Sequence, residues 1–300
     1  MITVFGSINA DIVCRVERHP RPGETVRGSD YALFPGGKGA NPALAARRAG
    51  ATVRLVGAVG DDDLANVALS ELEVSGVNLF GVARVRGPTG LAIITVDAAG
   101  ENAIVVSNGA NERVEGSVLT PADFTANDTL IIQLEVPFRE SLVVAKAAQA
   151  SGARVILMAA PFAPVSEADF EPVSVLVLNQ HEAADFARHI GANVANAEQA
   201  ASALSAKFGK TVIATLGAEG AVAAGPDGTV RVAALSVTPV DTTGAGDTFV
   251  GVLAAYLDEG ADLKTAMARA AIAGSLTCTK EGAQPSFPMR AEIEAAEASA

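Results

Sequence analysis

The sequence predicts an α/β fold: a mainly parallel sheet covered by helices on both faces, with a smaller sheet beside it. Strand-like apolar segments alternate with helical ones along most of the chain, the pattern of βαβ units feeding a parallel sheet. Two regions, 11–34 and 89–107, break that alternation and contain no good helix. No internal repeat or low-complexity linker divides the chain, so residues 1–300 are expected to form one domain carrying both insertions.

In order, ITVFG (2–6) is a short apolar strand ending at a glycine. KGANPALAARRAG (38–50) reads as a helix, with Pro42 near its first turn and Gly50 past its end. TVRLVGAVG (52–60) is strand-like, and DDLANVALSELEVSG (62–76) is helical and again stops at glycine. Later strands are TLIIQL (129–134), ARVILM (153–158), VSVLVLN (173–179) and KTVIATLG (210–217), each followed by a helical stretch or a loop leading to one. TGLAIITVDAAGENAIVVSNG (89–109) reads as a hairpin turning at DAAGE. A layer near the strand ends suits a lid over a crevice, where open α/β sheets bind ligands; an ornamental hairpin is the competing reading.

The totals exclude several classes. A 49% hydrophobic and 19% charged composition is ordinary for a globular chain; with 4% aromatics and no Trp, Ala, Val, Leu and Ile must fill much of the core. The net charge of −12 argues against a broad nucleic-acid or anionic-membrane footprint, without excluding a small anionic substrate. No apolar run reaches the roughly 18 residues of a membrane helix. MITVFGSINAD lacks a basic region before its apolar run and reads as a strand rather than a signal peptide. Cys14 and Cys278 form no CxxC pair and are expected as free thiols in a reducing cytoplasm.

Neither GxxxxGK[ST] nor GxGxxG occurs in a credible strand–loop–helix context. The best phosphate cradle is DTTGAGDTF (241–249), which runs into the apolar VGVLAAYL. Gly244 and Gly246 can take backbone angles that turn several N–H groups inward, and a helix is expected to start at about Ala245. Unpaired N–H groups and the positive end of the helix dipole then converge on one spot. Asp247 in that first turn is either a helix-stabilising acid or a general base aimed at a hydroxyl.

GSINAD (6–11), PGETV (22–26), PGGKGAN (35–41), GDD (60–62), QLE (133–135), NQHE (179–182), TLGAEG (215–220), DTTGAGDTF and EGAQPS (281–286) follow one another along the chain. In this order and spacing the set resembles the ribokinase family of ATP-dependent carbohydrate kinases, from residue 2 to about residue 290. PGGKGAN and DTTGAGD are its strongest motifs.

The resemblance implies a three-layer α/β/α fold with a small β-sheet lid. It implies that Asp247 takes the proton of a sugar hydroxyl attacking the γ-phosphate of ATP, with Gly244, Ala245, Gly246 and Asp247 supplying the anion hole. Asn9, Ala10 and Asp11 of GSINAD, then Gly37, Lys38, Gly39, Ala40 and Asn41 of GGKGAN, and Glu135 of QLE match its sugar-binding positions. Taken singly, Asp11 and Asn41 also read as caps or turn residues. Asn179 and Glu182 match the residues that order Mg²⁺ beside the phosphates; a helix N-cap with a capping box is the parallel reading. His181, between them, reads as a solvated helix residue. Thr215, Leu216, Gly217, Ala218, Glu219 and Gly220 match the nucleotide loop, with adenine expected near 265–275. Asp241, Thr243, Thr277, Lys280, Gly282 and Ser286 match ligands of an activating K⁺.

GSINAD and GAQPS favour D-ribose as the acceptor within the family; a nucleoside, deoxyribose or fructose is the alternative, and a non-catalytic sugar sensor a third. Met158 or Ala159 stands where an asparagine is frequent, and Ala271 where a polar residue is frequent near adenine. The resemblance also implies a homodimer paired through its lids.

Overall fold

A computed structural model describes residues 1–299. In chain order the elements are β1 (Ile2–Phe5), β2 (Asn9–Val16), β3 (Gly28–Gly36), α1 (Ala40–Arg48), β4 (Val53–Val59), α2 (Leu64–Val74), β5 (Asn78–Arg84), β6 (Gly90–Val96) and β7 (Asn102–Ser107). Then come β8 (Thr129–Ile132), α3 (Phe138–Ala150), β9 (Arg154–Met158), β10 (Val175–Asn179), α4 (Gln180–His189), α5 (Ala197–Phe208), β11 (Thr211–Thr215), β12 (Ala221–Gly225), β13 (Gly228–Val232), α6 (Ala245–Asp258), α7 (Leu263–Thr277) and α8 (Arg290–Ser299).

The large sheet has nine strands in the order β13-β12-β11-β10-β9-β8-β1-β4-β5. All pairs from β11 to β5 are parallel; β12 and β13 add antiparallel at one edge. Alternate strand residues enter two separate cores. Ile2, Val4, Leu55, Ile131 and Ile213 pack with α1, α2, α6 and α7, while Phe5, Val56, Leu130, Ile132 and Val212 pack with α3, α4 and α5. The period-two alternation of apolar residues thus serves both faces, which is why these strands read as continuous apolar runs. Ala-rich α1 sits against α6, and Gly251 there would place a Cβ 2.4 Å from the Pro42 carbonyl, so that contact needs glycine.

A second sheet, ordered β3-β2-β6-β7, stands at the C-terminal ends of the large one. Its central pair β2–β6 is parallel and the outer pairs are antiparallel, with 97–101 turning the β6–β7 hairpin. Tyr31, Leu33, Ile93, Ile104, Val105 and Val106 are exposed on it.

The chain departs from simple strand–helix alternation after β11, where an antiparallel hairpin replaces the expected helix. Edge strand β5 likewise carries no clear strand signal in the sequence. Among the described residues no helix is long and apolar enough to cross a membrane, and both cysteines are unpaired.

Candidate active site

Strand order reverses at β1, which has β4 on one side and β8 on the other. A crevice opens outside the carboxyl ends of strands at such a switch point. Residues following β1 and β8 meet there: Ser7 Oγ donates to Glu135 Oε2 at 2.7 Å. The Lys38 backbone N–H reaches the same oxygen at 3.2 Å.

PGGKGAN is bound to this place by steric necessity. A Cβ on Gly39 would lie 2.6 Å from Gly6 C and Ser7 N, and one on Gly6 would lie 2.9 Å from Gly39 Cα. Two backbones therefore cross without side chains between them. The side of Gly37 and Gly39 on which a Cβ would stand faces the chain segment 6–9. Gly39 N and Ala40 N both donate to Ser7 O, at 3.1 and 2.9 Å, and α1 starts from that anchor.

The small sheet delivers Asn9 and Asp11 from β2. Asn9 is buried, and its Oδ1 accepts from Asn111 Nδ2 at 2.7 Å. Asn111 also accepts from Ile8 N at 2.9 Å, which fixes its orientation. Asn9 accordingly has its N–H donors left for a ligand. Asp11 is half-buried with Oδ1 lacking any partner among the described residues. Burial, then the charges of Glu135 and Asp247, push its carboxyl from 3.8 up to about 7, with Lys38 opposing. An unpartnered, desolvated acceptor of this kind suits a hydroxyl donor.

That shift has a measurable consequence. A folded-state pKa above the unfolded one means the native chain binds the proton more tightly between the two values, so stability falls as pH rises from about 4 to about 7. Asp11→Asn is expected to flatten this part of the profile and to melt higher than wild type at pH 8, but not at pH 4. Equal melting differences at both pH values would contradict it.

Asn41, at the start of α1, donates from Nδ2 to Asp247 Oδ2 at 2.7 Å. Asp247 is buried in the first turn of α6. Gly244 begins that turn at φ +78°, in the left-handed region, whereas Gly246 is an ordinary helical residue. The expectation of special backbone angles at both glycines thus holds only for Gly244. The Ala245 N–H bonds the Thr242 carbonyl at 3.3 Å; the N–H groups of Gly246 and Asp247 have no protein acceptor among the described residues. A Cβ on Gly246 would meet nothing within 4 Å, and Gly246 and Asp247 both line an open cavity.

A cavity of about 780 Å³ extends from this turn. It is lined by Lys38, Asn179, Glu182, Thr215 to Ala218, Gly220, and Gly244 to Asp247. Asn179 Oδ1 accepts from Glu182 N at 2.9 Å and Glu182 Oε2 accepts from Asn179 N at 2.8 Å, a reciprocal cap on α4. Burial raises the Glu182 pKa, against the Asn179 N–H bond and the Lys38 charge. Burial alone would lower that of Lys38, but Asp247, Glu135, Glu182 and Asp11 outweigh it and hold the ammonium charged. Glu219 is not among the lining residues and pairs instead with Arg231 at 3.1 Å. His181 is exposed at the cavity mouth. Ala271, Gly274 and Ser275 line the far wall with Cys278 and 234–237, the last a stretch without any sequence signal.

Asp241 ties its loop to the C-terminal segment. Its Oδ1 accepts from Thr243 N and Oγ1 at 2.9 and 2.6 Å, and its Oδ2 from Gly282 N at 2.9 Å. These bonds bring its pKa down despite burial. Thr277, Lys280 and Ser286 of this set lie in the C-terminal segment and use their side chains elsewhere. Thr277 Oγ1 bonds Thr248, Lys280 pairs with Glu292, and Ser286 Oγ donates to the Ala283 carbonyl.

The pfkB family carbohydrate kinase profile matches residues 1–290. This chain belongs to the pfkB family. A ribokinase of Schizosaccharomyces pombe is 36% identical, over 98% of this chain and 96% of its own. The crystal structure of a Thermotoga maritima ribokinase superposes with a TM-score of 0.92 at 33% identity, covering 99% of each chain. An Arabidopsis thaliana ribokinase, solved with ribose and ATP, superposes with a TM-score of 0.88 at 29% identity over 98% and 97% of the two chains. This pfkB chain is therefore a carbohydrate kinase of ribokinase fold. Three further residues of its site are buried and polar: Ser7 and Gln284, which lie inside GSINAD and EGAQPS without a role assigned from the sequence, and Asn111, which lies in none of the motifs.

Proposed function

We propose that this kinase transfers the γ-phosphoryl group of ATP to O5 of D-ribose, giving ribose 5-phosphate and ADP. The observation that carries the reading is Asp247, buried at a helix N-terminus between free N–H groups and a polar pocket, with one oxygen tied to Asn41. Its second oxygen is free to take the acceptor's proton as that hydroxyl oxygen attacks the γ-phosphorus in line and the bond to ADP breaks. The N–H groups of Gly246 and Asp247 stabilise charge on the transferring group. Asn9, Asp11, Asn41 and Glu135 offer both donors and acceptors, which suits a neutral polyol. One basic side chain, Lys38, stands among them, which argues against a sugar phosphate as acceptor.

The cavity beyond α6 has the size and the mixed lining that a nucleotide needs. Asn179 and Glu182 are oxygen donors suited to order Mg²⁺ and its waters, which neutralises phosphate charge when bound. Asp241, Thr243 and the carbonyls of Thr277, Lys280 and Gly282, with Ser286, suit a K⁺ that orders the 241–247 loop. The small sheet serves as the lid. Its exposed apolar residues support a homodimer through that face, which light scattering at monomer mass would overturn. A cytoplasmic setting agrees with two unpaired cysteines.

The test is ADP release with MgATP over ribose, deoxyribose, fructose and nucleosides, in K⁺ and in Na⁺. Ribose is expected to give the highest kcat/KM, and K⁺ the higher rate. Turnover on nucleosides alone would transfer the acceptor assignment to them; equal rates in both salts would remove the cation assignment.

A further inference from the structure

We propose that Gln284 is a positioning residue: it sets the amide orientation of Asn41 and thereby holds Asp247 for proton transfer. This rests on the reading of Asp247 as the base. Gln284 is fully buried and sits in the short turn Gln284–Ser286. Its Nε2 donates to Asn41 Oδ1 at 3.0 Å, and Asn41 Nδ2 donates to Asp247 Oδ2 at 2.7 Å.

The direction of this chain follows from its chemistry. A carboxamide has one accepting end and one donating end. A donor from Gln284 is satisfied only by the Asn41 oxygen, which leaves the Asn41 NH₂ facing the carboxylate. The reverse orientation would set an oxygen against an oxygen of Asp247. Gln284 thus holds, from the opposite end, the one orientation of Asn41 that the Asp247 carboxylate accepts.

Two features separate this from a packing role. Gln284 Oε1 is buried without a partner among the described residues, a cost that an apolar side chain would avoid. The residue serves its neighbours through its N–H alone. Its backbone is also anchored from outside the site. Arg48 Nη1 donates to the carbonyls of Gln284 and Phe287 at 2.6 and 3.0 Å, and Arg48 Nη2 pairs with Glu71 at 2.7 Å.

The same segment reaches the phosphate loop by a second route. Gly282 N bonds Asp241, and a Cβ on Gly244 would lie 2.7 Å from the Phe287 ring and 3.1 Å from Ala283. Residues 282–287 therefore brace the anion-binding turn and the base from one place, so order in this segment acts on both.

Gln284→Met, of similar size but without the N–H, separates the two roles. The full-length variant is expected to melt at or above the wild-type temperature while kcat falls about tenfold to a hundredfold. In an Asn41→Ala background the same change should lower kcat no further, because the residue it orients is gone. Independently of turnover, the Asn41 side-chain amide protons should shift and exchange faster in Gln284→Met, with those of Asn111 unmoved. A kcat within about twofold of wild type, losses that multiply in the double variant, or an unchanged Asn41 amide would each overturn the proposal. Should wild type lack kinase turnover, the base reading fails, and the Asn41 amide still decides whether Gln284 holds that side chain. Gln284→Leu, which also lacks the N–H, repeats the test if the methionine variant does not fold.

Discussion

Asp247→Asn is expected to lower kcat by about 10²–10⁴-fold while the sugar affinity stays near that of wild type. The substitution keeps the shape, burial and helical position of the side chain, and removes the ability to accept a proton. The other residues proposed to contact the sugar, Asn9, Asp11 and Glu135, belong to other elements and are left in place. Calorimetric titration with ribose and ADP release under saturating MgATP separate the two effects. A variant that turns over within about tenfold of wild type would remove the general-base assignment. Asparagine at this position can turn its Oδ1 to the Asn41 NH₂ and keep that hydrogen bond, so the melting temperature should change little.

The second large effect divides the two glycines of GAG. Gly246→Val is expected to fold normally and to lose about 10²-fold or more in kcat. Its Cβ has open space, and a helical position gains nothing from glycine, so stability has no reason to fall. What it fills is part of the cavity that Gly246 and Asp247 line. Gly244→Ala should behave in the opposite sense toward stability. Its left-handed φ costs an alanine about 1–2 kcal/mol, and the added methyl would stand 2.7 Å from the Phe287 ring. Thermal melts and ADP-release assays on both variants give the comparison. Wild-type rates in Gly246→Val would take the transferring phosphoryl group away from this turn; a Gly244→Ala variant that melts with wild type would show that the Phe287 contact yields freely.

The parts of this molecule that were legible in the sequence are those written locally. β1, β4 and β8 to β11 are runs of branched apolar residues bounded by turns, and α1, α2 and α6 carry helical periods with a start or stop signal. The β12–β13 hairpin was not legible: AVAAGPDGTVRV is rich in alanine, and its pairing depends on β11 being available as an edge. β5 was obscured by Gly81, which packs against Val56 where a Cβ would come within 2.7 Å. In the site, GGKGAN and GAGD were legible because turn chemistry demands particular residues at fixed spacing. Asn111 was not, and neither was the role of Gln284 within EGAQPS. Each is one buried amide that bonds a residue more than 100 positions away, and such a pairing leaves no periodic trace. Gly246 was misjudged because a glycine's letter does not distinguish a strained backbone from an empty neighbourhood.

The crossing of Gly6 and Gly39 bears on how such an enzyme is redesigned. Where two main chains touch, there is no side chain to exchange, and any insertion separates the strands that carry the switch point. A mutational library aimed at a new acceptor gains nothing from 6, 37 or 39. Its useful diversity lies instead on the smaller sheet of β2, β3 and β6, away from that crossing.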